Sequence, residues 1–214
     1  MRVLVVKLSS LGDVVHAMPV VHDIRHAHAD AAIDWVVEPA FAGLVGRVAG
    51  VHAVIECPLR RWTRSGWRPA VWAEWRAFAA RLRQTRYDAV IDLQGLTKSA
   101  LVARLARGTR YGLANRTEGA SHEPPARWLV DRAIRIETHI HALDRSRVLA
   151  GRALGYAPQG PPVFGLQPRT VAPRGTPVLV FVHGTSRVDK LWPEADWIAL
   201  GRRVLAEGWR VALP

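Results

Sequence analysis

The sequence predicts an α/β protein built on a parallel sheet. Three observations carry this. Short apolar runs alternate with amphipathic runs along the whole 214 residues, the order expected of repeated strand–helix units. Val3–Val6 is continuously apolar, and Ile33–Val37 and Ala89–Leu93 are apolar but for one aspartate each, close to the pattern of strands buried on both faces. Each of several strand runs leads into a short polar loop and then a helix start, which is how α/β folds place ligand sites at the carboxyl ends of their strands.

In order, Val3–Val6 is the first strand, and Lys7 to Gly12 a tight polar loop. A helix from about Asp13 to Ala27 follows, with Pro19 kinking it or marking a second start. Ile33–Val37 is the second strand, Phe41–Val48 a short helix and Ala53–Cys57 the third strand. Leu59 to Pro69 reads as a basic loop with interleaved tryptophans. Ala70–Arg86 is a long amphipathic helix with Trp72, Trp75 and Phe78 at helical spacing. Ala89–Leu93 is the fourth strand, and Gln94–Ser99 opens a helix running to about Arg107. Arg110–Gly112 reads as a short edge strand and Asn115–Pro125 as turns. Thr138–Leu154 is a helix with an apolar stripe through Leu143, Val148, Leu149 and Leu154, leaving Arg145, Arg147 and Arg152 outside it. His139 and His141 fall in this helix as surface residues.

Tyr156 to Pro177 is rich in proline and glycine and is the linker candidate. The expected division is therefore a domain over 1–155, a linker over 156–176 and a further unit over 177–214. That unit reads as strand Val178–Val182, loop His183–Lys190, helix Pro193–Glu207 and strand Trp209–Leu213. A βαβ unit of about 37 residues buries little surface alone, so the expectation is an incomplete second domain.

Composition narrows the class. The formal net charge is +12 and hydrophobic content is 49%. No apolar run approaches the roughly 20 residues of a membrane-spanning helix, and the opening reads as a strand rather than a signal peptide. Cys57 is the single cysteine, so neither a disulfide framework nor a cysteine metal site is expected. These features point to a cytoplasmic protein. The charge is spread along the chain and no nucleic-acid recognition motif is present, so nucleic acid is not the expected partner. An anionic membrane surface or a phosphorylated substrate remains.

Of 30 basic residues only Lys7, Lys98 and Lys190 are lysines. Each sits in a short loop after an apolar strand. A compact ammonium fits tight sites where a wide guanidinium fork does not, so these three are ligand candidates. Asp13 is the sharpest candidate for chemistry. As an ordinary helix N-cap it would satisfy backbone N–H groups; beside Lys7, Ser9, Ser10 and Gly12 it reads as a general base. Gly184 to Lys190, with Thr185 and Ser186, has the makings of a diphosphate cradle without the glycine spacing of a Walker loop. Arg60, Arg61, Arg64 and Arg68, with Trp62 and Trp67, suit phosphates, carboxylates or a headgroup layer. His22 and His26 lack the acidic partner of a helical zinc motif, and no metal site is expected.

Several segments together resemble bacterial lipopolysaccharide heptosyltransferase I. They are Val6–Pro19 (Val-Lys-Leu-Ser-Ser-Leu-Gly-Asp-Val-Val-His-Ala-Met-Pro), Ile33–Glu38, Arg60-Arg61-Trp62, Tyr87–Ser99 and His183–Pro193, in matching order and spacing. The resemblance implies a GT-B glycosyltransferase: a complete N-terminal Rossmann-like domain and the first βαβ unit of a second one. It implies transfer of L-glycero-D-manno-heptose from ADP-L-glycero-β-D-manno-heptose to the Kdo of Kdo-lipid A, with inversion and without a cofactor. Asp13 would be the general base. Thr185, Ser186 and Lys190 would hold the donor diphosphate. Lys7, Ser9, Ser10, Gly12, Arg60, Arg61, Arg64 and Lys98 would face the acceptor, on a protein peripheral to the cytoplasmic face of the inner membrane. The family's later Asp-Thr-Gly-x-x-His donor motif has no counterpart here, so the expectation is a fragment of low or no activity. The rival reading is a non-catalytic Rossmann-like module that binds anionic lipid or nucleotide.

Overall fold

The computed structural model describes residues 1–66, 68–118, 122–168, 175–185 and 188–213. The chain divides into two compact units, Met1–Pro168 and Arg169–Pro214.

The first unit is a six-stranded parallel sheet of order β3-β2-β1-β4-β5-β6. Its strands are β1 (Arg2–Val6), β2 (Ala32–Val37), β3 (Val51–Glu56), β4 (Arg86–Asp92), β5 (Arg107–Leu113) and β6 (Arg132–Ile134). The order is that of a Rossmann-type sheet. The chain winds one way from β1 to β3, then returns to lay β4 on the other side of β1. The helices after β1 and β4 therefore leave to opposite faces of the sheet, the place at which such sheets hold ligands beyond the carboxyl ends of their strands.

Strand periodicity sends alternate residues to opposite faces. Val3, Val5, Ile33, Trp35, Val37 and Ile91 build one core with α1 (Leu11–Ala17), α2 (Pro19–Ala27) and α7 (Ala142–Leu154). Leu4, Val6, Val36, Ile55 and Val90 build the other with Trp62, Phe78, Leu82 and Val102. These last come from α4 (Leu59–Ser65), α5 (Pro69–Gln84) and α6 (Thr97–Leu105). The remaining helix of this unit, α3 (Pro39–Val45), follows β2.

Pro19 marks a second helix start, one of the two alternatives expected of it, since its missing N–H is tolerated in a first turn. Most other strand and helix expectations hold, and four details differ. The basic stretch after β3 folds as α4, anchored by buried Trp62. β5 is longer than expected and is interior, since β6 covers it. α7 begins at Ala142, so His139 precedes it and His141 is its N-cap.

The fourth difference is the largest. Arg145 and Arg147 are buried, not solvated. Arg147 reaches across to α2, where Nε and Nη2 donate to the two Asp23 carboxylate oxygens at 2.7 and 3.0 Å. Its remaining donors meet the carbonyls of Gln159 and Gly160. The proline-rich stretch thus returns along the first unit, where the Gln167 N–H also donates to the Arg47 carbonyl.

The second unit, over its described residues, pairs β7 (Val178–Val180) in parallel with β8 (Arg210–Ala212), joined through α8 (Glu194–Ala206). Trp197 of α8 packs against Phe181 and Trp192, with ring centroids 5.0 and 4.8 Å away. Among the described residues of the chain, no helix is long and apolar enough to cross a membrane.

Candidate active site

The crevice beside β1 is built from three strand ends. After β1 the chain turns at Lys7, whose carbonyl accepts the indole N–H of buried Trp35 at 3.1 Å. The Leu8 N–H donates to the Gln94 side chain, and the Lys7 ammonium to the Leu93 carbonyl. The loops after β1 and β4 are thereby locked together. The loop after β2 joins them: the Glu38 N–H donates to the Leu8 carbonyl, and the Glu38 carboxylate accepts from the Arg60 N–H of α4.

Ser10 is the N-cap of α1 and Asp13 its third residue. Asp13 is therefore not the cap. Its Oδ2 reaches back to accept from the Ser10 N–H and hydroxyl at 3.0 and 2.8 Å, one arm of a capping box. Its Oδ1 faces the Lys7 ammonium at 3.7 Å. One oxygen fixes the carboxylate, the other faces Lys7, and the side chain is 40% exposed. Partial burial works to raise the Asp13 pKa. The Lys7 charge, the Ser10 hydrogen bonds and the Arg145 charge outweigh it and hold the carboxyl below the usual carboxylate range. Burial also draws the Lys7 pKa down against the pull of Asp13. Asp13 is thus ionised at neutral pH.

Beneath Lys7 lies Asp92, the last residue of β4, which neither composition nor spacing singled out. It accepts from the Gln94 N–H and the Ser99 hydroxyl, both at 2.9 Å. Complete burial pushes its pKa up to about 6 despite these donors and Lys7. The folded state therefore binds this proton more tightly than the unfolded chain. The stability it confers is full below about pH 4 and is lost as pH rises to about 6, a loss of about 3 kcal/mol. Replacing the group by Asp92→Asn is expected to remove that decline. Denaturant unfolding from pH 4 to 7 checks this: wild type should fall relative to the variant, and parallel curves would refute it.

The other candidates distribute as follows. Ser9 is buried, whereas Gly12 is exposed in the first turn of α1. Arg60, Arg61 and Arg64 lie on α4, which leaves the carboxyl end of β3. Arg61 is engaged by Glu74 of α5, which also accepts the Trp62 indole N–H at 2.8 Å. Lys98 is exposed in the first turn of α6. It borders a groove of about 410 Å³ with Leu59, Trp75, Leu101, Arg83 and Arg104. In the second unit Thr185 lies in the loop after β7, and Lys190 closes an exposed 3₁₀ turn over Val188–Lys190. Ser186 lies outside the described residues. Two further polar residues were not among the site candidates: Arg145 of α7, expected at the surface, and Thr117, both buried, with the guanidinium donating to the hydroxyl at 3.1 Å. A charged residue off an apolar helix stripe normally signals solvent, so no signal distinguished them.

Residues 75–214 match the family model of glycosyltransferase family 9 (heptosyltransferase). The chain belongs to glycosyltransferase family 9. It is 41% identical to lipopolysaccharide heptosyltransferase 1 of Pseudomonas aeruginosa and 39% identical to that of Escherichia coli K12, in each case over 100% of this chain. It spans 61% and 68% of their respective lengths. Among solved structures, the E. coli heptosyltransferase WaaC with ADP-2-deoxy-2-fluoro heptose superposes with a TM-score of 0.87 at 38% identity. That match covers 100% of this chain and 69% of WaaC. E. coli ADP-heptose LPS heptosyltransferase II shares the fold, with a TM-score of 0.74 at 22% identity. The family 9 chain thus has the α/β architecture of the GT-B heptosyltransferases, with a Rossmann-like first domain and a βαβ unit following it.

Proposed function

We propose that the chain is a heptosyltransferase of lipopolysaccharide inner-core synthesis, moving heptose from ADP-L-glycero-β-D-manno-heptose to the Kdo of Kdo-lipid A. The observation that carries this is the Asp13 loop. An ionised carboxylate is clamped by one oxygen and open through the other, at the switch point of a Rossmann-like sheet. Relatives named as lipopolysaccharide heptosyltransferase 1 supply the reaction class.

In this reading Asp13 takes the proton of an acceptor hydroxyl. The oxygen forms its bond to the anomeric carbon on the face opposite the diphosphate. The bond from that carbon to the diphosphate oxygen breaks, its electron pair leaves with ADP, and the configuration inverts. Thr185, Ser186 and Lys190 hold the departing diphosphate electrostatically. Lys7, Ser9, Ser10 and Gly12 shape the floor beside Asp13, and Arg60, Arg61, Arg64 and Lys98 meet the anionic acceptor. Residues 1–155 form the acceptor domain, 156–176 the connection and 177–214 the donor side. Released ADP and labelled heptose recovered on Kdo-lipid A test the reading together; ADP release without sugar transfer would contradict it.

The same reading places the protein on the cytoplasmic face of the inner membrane. Supporting this, α4 to α6 combine exposed Trp72 and Leu101 with Arg60, Arg64, Arg83, Lys98 and Arg104. Indole and guanidinium groups together suit an anionic headgroup layer. Vesicles with anionic phospholipid should bind the protein, neutral phosphatidylcholine vesicles should not, and Lys98→Glu with Arg104→Glu should weaken binding at least tenfold. Equal binding to both vesicle types would refute this.

A further inference from the structure

Arg147 shows what this fold does with a buried guanidinium: it supplies a carboxylate and two carbonyls. Arg145, two residues earlier on the same helix, is treated differently. It is 4% exposed, yet no carboxylate lies within ion-pair distance among the described residues. Among the described residues its one side-chain hydrogen bond is from Nη1 to the neutral Thr117 hydroxyl. Its Nε is buried with no acceptor. A buried, uncompensated charge is costly, and a guanidinium offers five donors in a planar fork.

Its location gives this a meaning. Arg145 sits in the first turn of α7, its N–H bonded to the carbonyl of the N-cap His141. The His141 ring packs edge-on against His16 of α1, centroids 5.2 Å apart, and His16 is one turn beyond Asp13. The first turn of α7 is thereby held against the helix that carries the proposed base. The Arg145 charge is felt at both Lys7 and Asp13.

We propose that Arg145, aimed by Thr117, is an anion anchor of the acceptor site: it takes the carboxylate of the acceptor sugar and so sets that sugar's hydroxyl against Asp13. This rests on the heptosyltransferase reading, which supplies a sugar acid as acceptor. A carboxylate matches the planar fork in two parallel hydrogen bonds.

The test is binding of two small probes to the 214-residue protein: the methyl glycoside of Kdo and its 1-carboxamide, followed by NMR titration. Wild type should favour the carboxylate by about 10- to 100-fold. Arg145→Met should abolish the preference, and Arg145→Lys should retain part of it, each with a cooperative melt that shows the variant is folded. Should Arg145→Met fail to fold, Arg145→Lys decides: a carboxylate preference unchanged from wild type overturns the anchor. Equal affinity of wild type for both probes overturns the anchor and leaves the transferase reading standing. Binding of neither overturns both. Inorganic phosphate or ADP competing with the carboxylate, and losing affinity in Arg145→Lys, would assign the guanidinium to the donor and overturn the acceptor anchor.

Discussion

Arg147→Met is expected to destabilise the first unit by about 3–5 kcal/mol, the cost of leaving a buried charge without its partner. The orphan is Asp23, whose side chain is 4% exposed and whose two oxygens both depend on Arg147. The variant also frees the carbonyls of Gln159 and Gly160, which Arg147 holds against α7. For a chain of this size such a loss lowers the melting temperature by about 10 °C. The sequence separation makes the effect global: the pair joins α2 to α7 across 124 positions. Replacing both partners by apolar residues, Asp23→Leu with Arg147→Met, removes the orphaned charge and should recover much of the loss. Thermal melts of the two variants check this. A single variant as stable as wild type would show that the pair contributes nothing, and a double variant worse than the single would show that packing, not charge, is at stake.

The same two arginines mark where sequence reading reached its limit. The strands β1, β2 and β4 were legible because burial on both faces leaves mostly apolar runs, interrupted by Asp34 in β2 and closed by Asp92 in β4, and the polar loops after them were legible as ligand loops. α4 was not, since Leu-Arg-Arg-Trp-Thr-Arg-Ser offers no apolar stripe and is held by one buried indole. β6 is three residues long and carries no strand pattern of its own; it exists by pairing with β5. Arg145 and Arg147 lie off the apolar stripe of α7, and only tertiary partners far away in sequence convert them from solvated to buried. Asp13 was recognised as the key residue, but its division of labour between two oxygens depends on Ser10 and Lys7 geometry. Asp92 was hidden because a carboxylate ending an apolar strand usually faces water.

Asp13→Asn carries the largest expected effect on chemistry. The amide keeps the size of the carboxylate, and its oxygen can still accept from the Ser10 N–H, so the loop should hold its shape. It cannot take a proton, and loss of a general base costs about 10²–10⁴ in rate. Because Asp13 lies below the usual carboxylate range, the wild-type rate should stay level through neutral pH and fall only in acid, as the carboxylate protonates. Acceptor affinity should change by no more than about twofold, since the anionic acceptor is held by cationic groups rather than by this carboxylate.

The decisive measurement is therefore single-turnover transfer of labelled heptose from ADP-heptose to Kdo-lipid A, with protein in excess so that slow turnover is still counted, for wild type and Asp13→Asn side by side. Wild type should transfer heptose and the variant should be slower by at least 10²-fold while binding the acceptor normally. Transfer by the variant at the wild-type rate would contradict the account.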